Sequence, residues 1–99
     1  MVEDLPPRVA HATHALIDAL QSSDSGPYGP LTAAEVCVYD ASHEAFSPRH
    51  TGAALREAQR FGLAAYVPPG YWIPTNMALS MKRDLERRFL RDMDEAERE

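Results

Sequence analysis

The stretch Thr51-GAALREAQRFGLAAYVPPGYWIP-Thr75 decides the fold, because it predicts the end of one helix, a β-hairpin and the start of another helix. The first of these helices begins upstream, where Ser47 supplies a capping hydroxyl and Pro48 occupies the first helical position. Its apolar residues recur at helical spacing as far as Phe61, and Gly62 follows as a residue that accepts the left-handed conformation of a helix end. This helix carries its arginines on the side opposite its apolar residues.

A β-hairpin is predicted after the glycine. Residues 63–67 and 71–73 are short apolar segments, the second rich in aromatic and β-branched side chains. Residues 68–70 between them are Pro-Pro-Gly, which is typical of a tight turn. Pro74 closes the hairpin.

A helix and a loop are predicted at the start of the chain. Pro6 and Pro7 fit only the first turn of a helix, and apolar residues then recur at helical spacing from Arg8 to Gln21. Residues 22–30 are almost entirely Ser, Asp, Gly and Pro, so we expect a loop there.

The second helix has the most specific start. Thr32 and Glu35 have the spacing of a capping box, in which each side chain bonds the backbone of the other residue. Leu31 and Val36 flank them at the spacing of a hydrophobic staple. We expect a helix from there to about Ser42, then a turn over 43–46 that leads into the helix over 48–61.

A long final helix is predicted after the hairpin, capped by Thr75 or Asn76. Its stripe of large apolar residues spans about 24 Å at the α-helical rise, close to the width of so small a domain. We therefore expect residues 1–76 to form one domain and residues 77–99 to join two chains as a homodimer. The alternative is that the helix folds back along its own domain. The expected dimer contacts are Met77, Met81, Leu85, Phe89 and Met93.

The composition limits the class of protein. At 99 residues the chain can bury one core, and its 44% apolar and 25% charged residues are near the average of globular domains. No apolar run approaches the roughly 18 residues of a membrane span, and residues 1–7 do not resemble a secretion signal, so we expect a cytoplasmic protein. The single cysteine, Cys37, excludes an internal disulfide and a thiolate metal cluster.

Charge is unevenly distributed along the chain, whose net charge is −5. Residues 1–44 contain seven acidic residues and one arginine, whereas residues 45–91 contain eight basic and three acidic residues. Residues 92–99 are again acidic, with five acidic residues and one arginine. This distribution predicts one basic face and an acidic tail.

The order of helix, loop, helix, turn, helix, hairpin and helix, together with the stretch 51–75, resembles the winged helix family of DNA-binding domains. The closest likeness is to the small MarR-like and PadR-like bacterial regulators, and it covers about residues 8–76. The resemblance implies a mainly α fold with a β-hairpin wing, that is, a winged helix-turn-helix followed by a long C-terminal helix. It also implies that the helix over 48–61 enters the major groove of double-stranded DNA while the wing lies on the backbone.

The same resemblance implies particular DNA contacts. Arginine suits such contacts because its planar fork pairs with guanine edges or with phosphate oxygens. A dimeric transcriptional regulator or accessory DNA-binding factor without a cofactor is the expected function. The implied contacts are Ser47, Arg49, His50, Arg56, Arg60 and Tyr71.

A protein–protein interaction module is the alternative function. The predicted wing tip at residues 68–70 lacks Lys and Arg, and the chain is acidic overall, whereas affinity for DNA depends largely on phosphate neutralisation. Winged helices also serve as protein-binding modules. Tyr66, Tyr71 and Trp72 have rings that can stack on bases, but for Trp72 we favour core packing against the first helix.

Two polar clusters contain residue types that can bind a metal ion or act in catalysis. His11, His14 and Asp18 lie near one helical face at a spacing that suits a divalent metal, but a polar outer face of the first helix is the favoured interpretation. His43 and Glu44 lie in the turn before the third helix, near His50, without a nucleophile or an oxyanion site. We therefore predict no catalytic residue and no metal site.

Overall fold

Helices make up most of the chain that the computed structural model describes, which is residues 2–22, 31–38 and 48–98. A small three-stranded antiparallel sheet completes the fold. The expected mainly α fold with a hairpin is confirmed at this level. A 3₁₀ turn at Val2–Asp4 precedes these elements in chain order: α1 (Pro7–Ser22), β1 (Leu31–Thr32), α2 (Ala33–Val38), α3 (Pro48–Arg60), β2 (Ala64–Val67), β3 (Tyr71–Pro74), α4 (Asn76–Ser80) and α5 (Lys82–Arg98).

Helix α1 is the centre of the core. It begins at Pro7, as predicted, because a proline nitrogen has no hydrogen to leave unpaired in the first turn. Helices α2, α3 and α5 and strand β3 all contact it. Apolar side chains cover most of its circumference, so it is buried on several sides at once. Its fully buried large residues are Val9, Leu16 and Ile17.

The predicted capping box starts α2. The backbone N–H of Glu35 donates to Oγ1 of Thr32 at 3.2 Å, and the backbone N–H of Thr32 donates to Oε1 of Glu35 at 3.2 Å. Leu31 and Val36 are both buried, as the staple requires. The loop predicted over 22–30 begins one residue later at the earliest, because Ser22 is the last residue of α1. The helix α2 is described to Val38; residues 23–30 and the predicted helix end, turn and Ser47 lie outside the described residues.

We predict that Thr32→Ala lowers the free energy of unfolding by about 1 kcal/mol, because the variant loses the acceptor for the Glu35 N–H and the side-chain contact with Glu35. Urea unfolding followed by circular dichroism measures the change. Thr32→Ser is the matched control and keeps most of the stability. Equal losses in the two variants would show that the hydroxyl does not stabilise this helix.

The sheet contains one strand that the sequence analysis did not predict. β1 pairs with β3, placing Leu31 opposite Trp72, and β3 also pairs with β2, placing Tyr66 opposite Trp72. Two residues are too few to show an alternating pattern, so β1 has no sequence signature of its own. Trp72, in the central strand, is buried in the core, and β3 contacts α1, as expected for this residue.

The predicted helix end after α3 and the cap of α4 meet at one junction. Gly62 has φ +78°, which glycine adopts without strain. Thr75 donates from Oγ1 to the carbonyl of Gly62 at 2.6 Å and accepts from the backbone N–H of Ala78 at 3.2 Å. One threonine therefore caps α4 and ties it to the end of α3.

The long final helix was predicted as continuous, and this prediction is wrong at Met81. The hydroxyl of Ser80 donates to the carbonyl of Met77, and the backbone N–H of Met81 donates to the carbonyl of Ala78, three residues back. These bonds reach the carbonyl three residues back, whereas a regular α-helix bonds the carbonyl four residues back. They therefore tighten the last turn of α4, and the helix ends there. After the break, α5 runs against α1 and the N-terminal turn.

The predicted dimer stripe is largely covered by its own chain. Met81 and Leu85 belong to the core, and Phe89 is half-buried with its ring stacked on His14, at 4.5 Å between centroids. Because α5 lies along α1, Met81 and Leu85 are not exposed for a second chain, which corrects their assignment as dimer contacts. Met77 is exposed and Met93 is half-buried.

The polar outer face predicted for the first helix is corrected for its two histidines, whereas Asp18 is exposed as predicted. His11 is buried, and its Nε2 lies 2.6 Å from Oδ2 of Asp92 in α5, while His14 stacks on Phe89 as described above. Both histidines therefore face α5 rather than solvent. Among the described residues, no three His, Cys, Asp or Glu side chains are grouped closely enough to hold a metal ion.

Candidate nucleic-acid interface

A groove between α3 and the β2–β3 hairpin contains two of the predicted site residues. Arg49 and Arg56 are seven residues apart, which is close to two helical turns, so they project from the same side of α3. Both line a concave surface of about 410 Å³. Among the described residues, the lining is Ala33, Arg49, Gly52, Ala53, Arg56, Tyr66, Gly70 and Trp72.

Small residues on the helices allow this concave shape. Gly52 lies within α3, where a glycine is less favourable than alanine, and a Cβ at this position would lie 3.7 Å from the Cβ of Ala33. Helices α2 and α3 therefore approach closely at this point. Ala53, on the exposed side of α3, adds no long side chain between the two arginines.

The hairpin forms the other wall through an aromatic pair. The rings of Tyr66 and Trp72 meet edge to face, with 5.1 Å between centroids and 63° between planes. Trp72 is buried, whereas Tyr66 is exposed although it packs against the Trp72 ring. This packing fixes Tyr66 at the edge of the groove beside the arginines.

The charge of the groove comes from α3. Arg49 and Arg56 are exposed, and neither forms an ion pair with an acidic side chain in the described parts of the chain. The turn of the hairpin, at residues 68–70, contributes no charge. The groove is therefore positive on its helical wall and neutral on its hairpin wall.

Arg60 lies in a different hollow from Arg49 and Arg56. This second hollow, of about 360 Å³, is lined by Pro6, Arg8, Glu57, Arg60 and Phe61. Glu57 accepts from Nε of Arg8 at 2.7 Å and also from its Nη2, so a bidentate ion pair joins α1 to α3 beside Arg60. The predicted stripe of three arginines is thus divided between two surfaces.

Of the remaining predicted DNA contacts, the structure describes His50 and Tyr71 but not Ser47. His50 is exposed on α3, and Ser47 lies outside the described residues. Tyr71 is exposed in β3, opposite Val67 and Thr32, but the described lining of the groove contains Tyr66 instead. Tyr71 was the predicted contact, although Tyr66 also has a ring that can stack on bases. Which tyrosine faces α3 depends on the pairing register, which strands this short do not specify.

No protein-family model, curated protein or solved structure matches this chain. Within the described helices, none is long and apolar enough to cross a membrane. The chemistry and geometry of the two surfaces above are therefore the basis for a functional proposal.

Proposed function

We propose that the protein binds double-stranded DNA through the groove between α3 and the hairpin, as a winged helix-turn-helix regulator or accessory DNA-binding factor. The observation that carries this proposal is that Arg49 and Arg56 line one groove together with Tyr66 and have no acidic partner among the described residues. Cations that form no ion pair within the protein can neutralise phosphates on a partner.

The proposed binding mode places α3 in the major groove. An α-helix fits the width of that groove, and arginines on its outward side reach base edges or the flanking phosphates. Arg49 lies in the first turn of α3, the end of a recognition helix that usually approaches the bases. The hairpin then lies beside the DNA backbone, where Tyr66 supplies a hydroxyl donor rather than a charge.

Because the chain is acidic overall, the proposed DNA binding depends on the positive charge of the groove itself. Phosphate contacts release counterions, so affinity falls with salt according to the number of cations that make contact. Because the basic residues are concentrated in residues 45–91, the groove can attract DNA although the chain carries a net charge of −5. We expect few phosphate contacts and a shallow salt dependence.

We predict that Arg49→Ala and Arg56→Ala each weaken DNA binding. The probes are a fluorescein-labelled duplex of mixed sequence and labelled genomic fragments from the source, followed by anisotropy from 25 to 200 mM salt. An arginine that contacts phosphate lowers the slope of log K against log salt by about 1, and an arginine that contacts a base edge costs about 1 to 3 kcal/mol on its preferred fragment. Lys82→Ala is the matched control, because it removes an exposed cation of α5 outside the groove.

The fold must stay intact for this comparison. Arg49 and Arg56 are exposed, so circular dichroism spectra and melting temperatures of the variants should match those of the wild type. Equal effects of Lys82→Ala and Arg56→Ala would show that only overall charge matters and would argue against the groove. Absence of binding to every fragment at 25 mM salt would refute the proposal.

A protein–protein interaction module is the second candidate function, and the hollow beside Arg60 favours it. Phe61 is 46% exposed there. Met77 is 38% exposed, and its methyl group lies 3.1 Å from where a Cβ on Gly62, the residue after Phe61, would be. Large exposed apolar side chains close together are typical of protein-binding surfaces. Phe61→Ser would abolish binding of a protein partner while leaving DNA affinity unchanged.

A further inference from the structure

The outward face of α5 carries a second ordered pattern, on the side away from the core. Arg83, Arg87, Leu90 and Asp94 follow one another at spacings of four, three and four residues, which places them along one line of the helix. All four are exposed, and Leu90 is the most exposed large apolar residue among the described residues, at 58%. Leu85, which is 1% exposed, belongs to the opposite, buried face.

The order of charges along this line is complementary to the same line of a second, antiparallel copy. Along this line the order is basic, basic, apolar, acidic, and the next position of the same spacing, residue 97, is a glutamate in the sequence. A second copy running antiparallel would present acidic positions to basic ones on both sides of Leu90. Dimers with a two-fold axis require this kind of self-complementary patch.

We propose that α5 pairs antiparallel with α5 of a second copy, with Leu90 of each chain meeting at the two-fold axis. Arg87 and Asp94 lie three and four residues from Leu90, or about 4.5 and 6 Å along the helix at the α-helical rise. Arg87 of one copy therefore comes level with Asp94 of the other copy to within about 1.5 Å. The homodimer expected from the sequence is retained, but through the face opposite the buried Met81 and Leu85.

The ion pair that Arg87 forms within its own chain does not compete strongly with this pairing. Arg87 forms an ion pair with Asp84 at 3.9 Å, and both side chains are more than half exposed. Such a surface pair contributes little and is easily exchanged for a better one. Glu86 and Arg91 flank the line on its two sides, and Lys82 and Asp84 lie at its basic end. These flanking charges are of both signs, so the contrast between the two halves of the line comes from Arg83, Arg87 and Asp94.

We expect a weak, salt-sensitive dimer. The interface contains one large apolar residue per chain surrounded by ion pairs, so Kd should be on the order of tens of micromolar at low salt and rise as salt screens the pairs. The face shares no residue with the groove between α3 and the hairpin. The dimer proposal therefore stands or falls independently of DNA binding.

Charge reversal in the full chain tests the pairing by sedimentation velocity between 5 and 500 μM at 25 mM salt, with no DNA present. Arg87→Glu and Asp94→Arg should each raise Kd at least about tenfold, because each replaces two attractive pairs by two repulsive ones. The double variant R87E/D94R restores both pairs in reversed order and should return Kd to within about threefold of the wild type. Glu95→Arg is the matched control: it makes the same charge change one residue along the helix, off the line.

The outcomes separate the proposal from a general charge effect. Recovery in the double variant and an unchanged Kd in Glu95→Arg support the antiparallel pair, and Leu90→Asp should remove the dimer while the circular dichroism spectrum stays unchanged. A wild type that is monomeric at 500 μM overturns the proposal. Failure of the double variant to recover, or equal losses in Asp94→Arg and Glu95→Arg, overturns it as well.

Discussion

Leu85→Ala should lower the free energy of unfolding by about 3 kcal/mol, whereas Leu90→Ala on the same helix should change it by less than about 0.5 kcal/mol. The two leucines differ in exposure, 1% against 58%, although they are five residues apart. Truncation of Leu85 removes buried apolar area and leaves a cavity between α5 and α1, which the surrounding helices fill only in part.

This pair of variants tests whether α5 packs on its own chain. Urea unfolding at about 1 μM, well below the Kd of the proposed dimer, removes any contribution from a second copy. If the apolar stripe of α5 instead faced solvent in the monomer, both variants would be close to neutral at this concentration. A large loss for Leu90→Ala and none for Leu85→Ala would mean that the helix is rotated relative to the core.

Arg88→Ala should also cost about 3 kcal/mol, while Arg87→Ala, one residue earlier and exposed, should cost little. Arg88 is only 6% exposed and donates from Nη1 to the carbonyls of Val2 and Leu5, at 2.5 and 2.6 Å. Its Nε also lies 3.5 Å from Oδ2 of Asp92. The variant therefore loses the donor to the carbonyl of Leu5 and one of the two donors to the carbonyl of Val2, which also accepts from the backbone N–H of Leu5. It also removes a buried cation from beside Asp92, which keeps His11 as its partner.

Urea unfolding of Arg87→Ala and Arg88→Ala measures the difference between their free energies of unfolding. Loss of the N-terminal turn should accompany the loss of stability, because Arg88 is the residue that joins Val2 and Leu5 to α5. Faster amide exchange at residues 2–5 in Arg88→Ala would report this release. Equal stabilities of Arg87→Ala and Arg88→Ala would contradict the proposed role of Arg88.

The pH dependence of stability gives a second readout of the same contacts. Burial raises the pKa of Asp92, but its hydrogen bond with His11 and the nearby charges outweigh burial, so the net pKa lies below the ordinary value of 3.8. A carboxyl with a lowered folded pKa stabilises the protein above its unfolded pKa, and that contribution is lost as the pH falls through the folded value. The wild type should therefore lose stability below about pH 4, and Asp92→Asn should lose less over the same range.

Local signals predicted the elements of this fold well. The capping box at Thr32 and Glu35, the proline at the start of α3 and the glycine after it are short-range patterns, and each describes backbone bonds formed within a few residues. The structure has these features where the sequence placed them. Register and packing partners are long-range properties, so β1 and the groove position of Tyr66 could not be obtained in the same way.

The final helix shows why an apolar stripe alone is ambiguous. Met81, Leu85 and Phe89 indicate a face that needs cover, but the spacing does not say which chain provides it. The cover comes from α1, through a face that His11 and His14 share and that the sequence analysis took for solvent-exposed. A histidine in an otherwise apolar helix can pack against a partner as well as point to water, so its side chain type did not decide the matter.

The most direct test of the central claim is a titration of the ¹⁵N-labelled protein with a 20-base-pair duplex at 25 mM salt, followed through amide chemical shifts. Binding in the proposed groove predicts that the largest shifts map to α3 (Pro48–Arg60) and the hairpin from Tyr66 to Trp72, and that Arg56→Ala reduces them. Shifts concentrated around Phe61 and Met77, or no shifts with any duplex, would contradict the assignment of the groove as a DNA-binding site.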